Sequence, residues 1–178
     1  MSTKDLSKEG LRDLIQGNLD LLCRHLNGTD AEQWSGVILL LQFIEYLLKY
    51  KIQSPPKGHN LKKLYKLLKK HDPNFIEDIE ARFSKLTVYN GQRDPESFGT
   101  IKDFVEDYHN SYTLFRYDLL EGAAEPIPPY FYVADTFLVL IALMKCSDID
   151  FDVSKAYNRI KKMKIQKLLK DGIIPSKT

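Results

Sequence analysis

The run Val37-Ile38-Leu39-Leu40-Leu41, followed by Phe43, Ile44, Leu47 and Leu48, limits this chain more than any other feature. Its spacing is helical and its apolar residues occupy nearly the whole circumference, so a helix here needs cover on several sides. A second such stretch, Tyr130 to Cys146, is 17 residues long and contains Asp135. It is short for a membrane span and carries a charge, so it is expected to be a buried core helix. Two helices of this kind require others to enclose them, and the rest of the sequence supplies amphipathic candidates.

Asp5 to Leu26 places Leu11, Ile15, Leu22 and Leu26 on one stripe and ends at Asn27-Gly28. Thr29-Asp30-Ala31-Glu32 has the form of a capping box, which starts the second helix and predicts it over about Asp30 to Tyr50. Pro55-Pro56 and Gly58 break the chain. A third helix follows from about Asn60 to Lys70, with Leu61, Leu64, Tyr65 and Leu68 as its buried stripe. Asp72-Pro73 suits an N-cap and first helical position and starts a fourth, which runs to about Leu86. After a polar loop, Thr100 caps a fifth helix that the periodicity of Ile101, Phe104, Val105, Tyr108, Tyr112 and Phe115 extends to about Arg116. The apolar helix from about Tyr130 and a basic amphipathic helix over about Ser154 to Lys170 complete the chain. Sustained strand alternation is missing, and the one hairpin signal is Asn90-Gly91. The expectation is an all-α, up-and-down helical bundle over 1–153, with an extra basic C-terminal helix and tail over 154–178 packed on the same domain.

Length and composition agree with one ordinary domain: 178 residues, 43% hydrophobic and 28% charged. Cys23 and Cys146 are too few for a disulfide scaffold, and Met1 to Gly10 has no apolar stretch behind a basic start. The expected location is therefore cytoplasmic, with no membrane partner.

The net charge of +2 conceals an uneven distribution. Ser154 to Thr178 holds eight Lys or Arg and one Asp, a balance of +7, and the body before it carries −5. Within that body, Lys49 to His71 contains eight lysines and no acid. Separated basic stretches suit a polyanion, although solvated helix faces produce the same pattern. On the last helix the candidates for nucleic-acid contact are Lys155, Arg159, Lys162 and Lys164.

Most chemical motifs are absent. There is no glycine-rich phosphate loop and no nucleophile elbow, and the four histidines are scattered. Asp148, Asp150 and Asp152 imitate the start of a calcium loop, but the sixth position is Val153 and the twelfth is Arg159. No cofactor or metal is expected. Two constellations remain. Gly58-His59-Asn60-Leu61-Lys62-Lys63-Leu64 opens a helix, where unpaired backbone donors and flanking lysines favour an anion. His59, Asn60, Lys62 and Lys63 are its candidate ligand-binding residues, unless His59 or Asn60 merely caps the helix. His109 and Arg116 are seven residues apart, on nearly one face of a continuous helix, with Tyr117 beside them. They could contact a phosphate and a stacked base, or Arg116 could pair internally with an acid such as Glu45.

The order of these features resembles the HEPN family of helical domains. Phe43-Ile44-Glu45-Tyr46-Leu47-Leu48-Lys49 is similar to that family's second helix, where an acid precedes an apolar-Lys pair. Gly58-His59-Asn60-Leu61-Lys62-Lys63-Leu64 is similar to the start of its third, and Tyr108…Tyr112…Phe115-Arg116-Tyr117-Asp118 to its "Tyr…Arg-Tyr" ending. The resemblance covers about Leu11 to Cys146. It implies a cytoplasmic bundle, often a homodimer, from prokaryotic toxin–antitoxin or defence systems. Such domains are either metal-independent ribonucleases or non-catalytic binders of a nucleotide, nucleic acid or partner protein such as a nucleotidyltransferase or antitoxin. The ribonucleases carry Arg, four to six residues, then His; no histidine here has an arginine at that distance before it. The expectation is accordingly a non-catalytic binder using Arg116, Tyr117 and the lysines around His59. The alternatives are a ribonuclease using His109 and Arg116, in reversed order, and a purely structural or regulatory oligomer.

Overall fold

The computed structural model of the protein describes residues 7–25, 30–52, 56–89, 92–93, 97–108 and 129–147, together with Asn158, Lys161, Lys162 and Gln166. Six helices account for most of them: α1 (Lys8–His25), α2 (Asp30–Lys51), α3 (Leu61–His71), α4 (Pro73–Leu86), α5 (Ile101–Asp107) and α6 (Pro129–Cys146). Strand structure among the described residues is a two-residue antiparallel ladder pairing Val88 with Arg93 and Tyr89 with Gln92, on either side of the Asn90-Gly91 signal. Among the described residues the fold is mostly helical, consistent with the all-α expectation.

α2 is the centre. Val37, Leu40, Leu41, Phe43, Ile44, Leu47 and Leu48 are all buried, because α6, α1 and α3 pack around this helix. α6 lies on α2 and α4, and its run from Phe137 to Met144 is buried without interruption. No helix among the described residues is long and apolar enough to cross a membrane. α6 is apolar because protein surrounds it. Its one acid, Asp135, is buried and accepts from Ser97 Oγ (3.1 Å) and Phe98 N (3.3 Å), which ties the loop before α5 to the core.

Local signals set most helix ends. Asn60 caps α3, its Oδ1 accepting from Lys63 N at 2.8 Å. Asp72 caps α4 by accepting from Phe75 N at 3.0 Å, with Pro73 at the first position. Thr100 caps α5 reciprocally with Asp103. Each cap satisfies a backbone donor that a helix start leaves open. α2 begins at Asp30, as expected, although the side chains of its capping box lie outside the described residues.

The fifth helix departs from expectation. The periodicity extends it to Arg116, but α5 ends at Asp107 with Tyr108 as its C-cap. The physical reason is tertiary packing. Tyr108 is buried and stacks on Phe104, ring centroids 4.8 Å apart, while Phe98 meets both rings edge-on at 5.5 and 6.0 Å. This aromatic cluster lies at the end of the helix, immediately before His109-Asn110-Ser111, residue types with weak helix propensity that favour an end there.

Candidate functional site

The site begins with two residues one helical turn apart. Glu45 and Lys49 stand at the i, i+4 spacing in which a carboxylate precedes an ammonium, the favoured orientation on a helix. Both are buried, 1% and 7% exposed, and Lys49 Nζ lies 2.6 Å from Glu45 Oε1. Two charges withdrawn from water need close partners, and each supplies the other's.

A third group joins them from the next segment. His59 Nδ1 sits 3.0 Å from Oε1 and 2.9 Å from Oε2 of Glu45. A carboxylate can only accept, so Nδ1 carries the hydrogen and donates to it. This contact fixes the plane of a ring whose side chain is 53% exposed. Glu45 thus has one buried cation and one half-exposed imidazole on its two oxygens.

The chain reaches this arrangement through Gly58, whose φ of +111° is a conformation that L side chains rarely adopt. The backbone there has open space around it, so strain alone, and not crowding, selects glycine. Residue 59 follows directly, and Asn60 then starts α3.

Asn60 is the α3 cap, as one of the two sequence readings has it. His59 is no cap; it is bound to Glu45. Lys63 is exposed and makes no ion pair among the described residues, and Lys62 Nζ stands 3.9 Å from Glu106 Oε1, beyond hydrogen-bonding reach. His109, Arg116 and Tyr117 lie outside the described residues, as do Lys155, Arg159 and Lys164. α5 ends at Asp107, before His109 and Arg116. Glu45, offered by the sequence as an internal partner for Arg116, is engaged by Lys49 and His59. Asn158, Lys161, Lys162 and Gln166 have helical backbone and are exposed, a spacing that puts them on one face. Asp148, Asp150 and Asp152 are outside the described residues.

Lysines treated alike in the sequence divide in the structure. Of the eight between Lys49 and His71, Lys49 is buried against Glu45 and Lys51 Nζ sits 4.6 Å over the centroid of the Phe75 ring. Lys57, Lys63, Lys66, Lys69 and Lys70 are exposed. The basic surface therefore starts beside His59 and continues along α3.

Comparison with protein-family models, with curated proteins and with solved structures finds no match. The functional reading rests on the residues themselves.

Proposed function

We propose that this chain is a HEPN-like helical domain of the branch without the ribonuclease spacing, and that it binds a phosphate-bearing ligand, a nucleotide or nucleic acid, at the junction of α2 and α3. The observation that carries this reading is the half-exposed His59 ring, held on the buried Glu45 carboxylate at the lysine-rich start of α3.

Each part has a role in binding. Glu45 holds the ring at a defined orientation before the ligand arrives, which lowers the ordering cost of association. Lys62 and Lys63 supply positive charge, and the amino end of α3 adds its partial charge. An arriving phosphate competes with Glu106 for Lys62, an exchange that the 3.9 Å separation makes easy. Lys161 and Lys162, exposed and in the basic C-terminal stretch, provide a second place for a longer polyanion to touch.

Fluorescence titration with labelled single-stranded RNA and with ATP tests the reading. Affinity is expected to fall steeply as salt rises, because phosphate contacts release counterions. His59→Ala is expected to weaken binding about tenfold, because a ring carrying hydrogen on both nitrogens gives one hydrogen bond to Glu45 from Nδ1 and one to the phosphate from Nε2. Failure of the folded protein to bind either ligand, or an unchanged affinity in His59→Ala, would refute it.

A further inference from the structure

The outward face of α3 is unusual for its length. The helix reads Leu61-Lys62-Lys63-Leu64-Tyr65-Lys66-Leu67-Leu68-Lys69-Lys70-His71, five lysines and no acid in 11 residues. Leu61, Leu64, Tyr65 and Leu68 are buried. At 100° per residue the lysines fall within an arc of about 120° opposite that stripe. Lys63, Lys66, Lys69 and Lys70 are exposed, and none of them makes an ion pair among the described residues. The basic charge is thus concentrated on one face, with Glu106 near Lys62 and no ion pair at the other four lysines among the described residues.

We infer that this face is a track for the phosphodiester backbone of a nucleic acid, which runs along α3 from His59 toward Lys70 and is held by charge without base readout. The inference rests on the phosphate-binding reading above and extends it from one phosphate to a strand. Lys62 and Lys70 are separated by about 12 Å of helix rise, room for roughly three phosphates at the axial spacing of one strand of a duplex. Lysine is a point charge on a flexible stem, suited to following a backbone.

Other polyanionic surfaces fit less well. An interfacial membrane helix inserts its apolar face, and the apolar face of α3 is already consumed by the core. Protein interfaces are depleted in lysine and anchored by aromatic residues and arginine, whereas this helix has one aromatic residue, Tyr65, and it is buried.

The test uses the full chain with Lys66→Glu/Lys70→Glu, its neutral counterpart Lys66→Gln/Lys70→Gln, and a charge-matched control, Lys85→Glu/Lys145→Glu, on exposed positions of α4 and α6. Mixed-sequence single-stranded RNA, duplex RNA and phosphatidylserine vesicles are the probes. Expected for the wild type is binding to single-stranded or duplex RNA, with log K falling against log salt at a slope of about −2 to −3. The neutral pair should reduce that slope by about 1 to 2, and the reversed pair should weaken binding more than tenfold, with the control near wild type. If both α3 pairs bind RNA like the wild type while His59→Ala binds less, the track is wrong and the phosphate site stands. If the wild type binds neither RNA nor ATP, both fall. Binding to the vesicles alone overturns the nucleic-acid assignment.

Discussion

Glu45→Ala is expected to lower the free energy of unfolding by about 3–5 kcal/mol, a large share of a domain's stability. The lost attraction is the smaller part of this effect. Removal of the carboxylate leaves Lys49, 7% exposed, as a charge without its partner in the helix at the centre of the bundle. The substitution also releases His59, so the loop before α3 loses its attachment to α2. Two companion variants separate these causes. His59→Ala keeps the buried pair and should cost about 1 kcal/mol or less, since half of that side chain is solvated. Glu45→Leu/Lys49→Met removes both charges and should recover most of the stability lost in Glu45→Ala, because an apolar pair of similar size needs no compensation. Denaturant titration of the four proteins decides the matter. A loss below about 1 kcal/mol in Glu45→Ala would mean that Lys49 finds water or another partner easily.

The second large effect is expected at Glu80. Its carboxylate accepts from Tyr65 Oη at 2.6 Å, Ile101 N at 2.8 Å and Lys102 N at 2.9 Å, so one side chain of α4 holds α3 and the first turn of α5. Glu80→Ala leaves a buried hydroxyl and two helix-start donors without this acceptor, at a cost of about 3 kcal/mol. The contact also sets an alkaline limit. The Tyr65 phenol is held well above its ordinary value of about 10, first by burial, then by its hydrogen bond to Glu80 and the negative charges of Glu80 and Asp103. A group raised in this way stabilises the fold fully below the unfolded value and loses that contribution as pH climbs past it. The unfolded chain releases the proton above about pH 10 while the folded chain retains it, so stability should drop by up to about 1.4 kcal/mol per pH unit. Tyr65→Phe should be less stable at neutral pH and flatter above pH 10 than the wild type. Parallel alkaline profiles of the two proteins would contradict this assignment.

What the sequence made legible was mostly local. Asn60, Asp72 and Thr100 act through backbone groups three residues away, and their types and spacing identify them without a fold. The encirclement of α2 follows from its all-round apolar pattern, whereas the Glu45–Lys49 pair was not read from the sequence, which offered Glu45 to Arg116 instead. Contacts across longer separations were hidden. Glu45 and His59 are 14 residues apart and meet because the chain turns through Gly58. Tyr65 and Glu80 are 15 apart and Ser97 and Asp135 are 38 apart, each pair joined by helix packing. The end of α5 was misread for the same reason. Tyr112 and Phe115 continue the helical period, but α5 ends at Asp107, where Tyr108 and Phe104 pack with Phe98 from the preceding loop. Among the basic residues, sequence alone cannot separate Lys49, buried in a pair, from Lys66, exposed beyond it.

A phosphate chain is proposed to meet the protein at His59 and along α3. Backbone-amide and histidine-ring NMR spectra, followed while short mixed-sequence RNA is added to the isotope-labelled chain, locate that meeting directly. The expected result is that the His59 ring and the amides from Gly58 to Lys70 shift most, with α6 little affected. RNA that binds while leaving the His59 ring and α3 unperturbed would contradict the proposal.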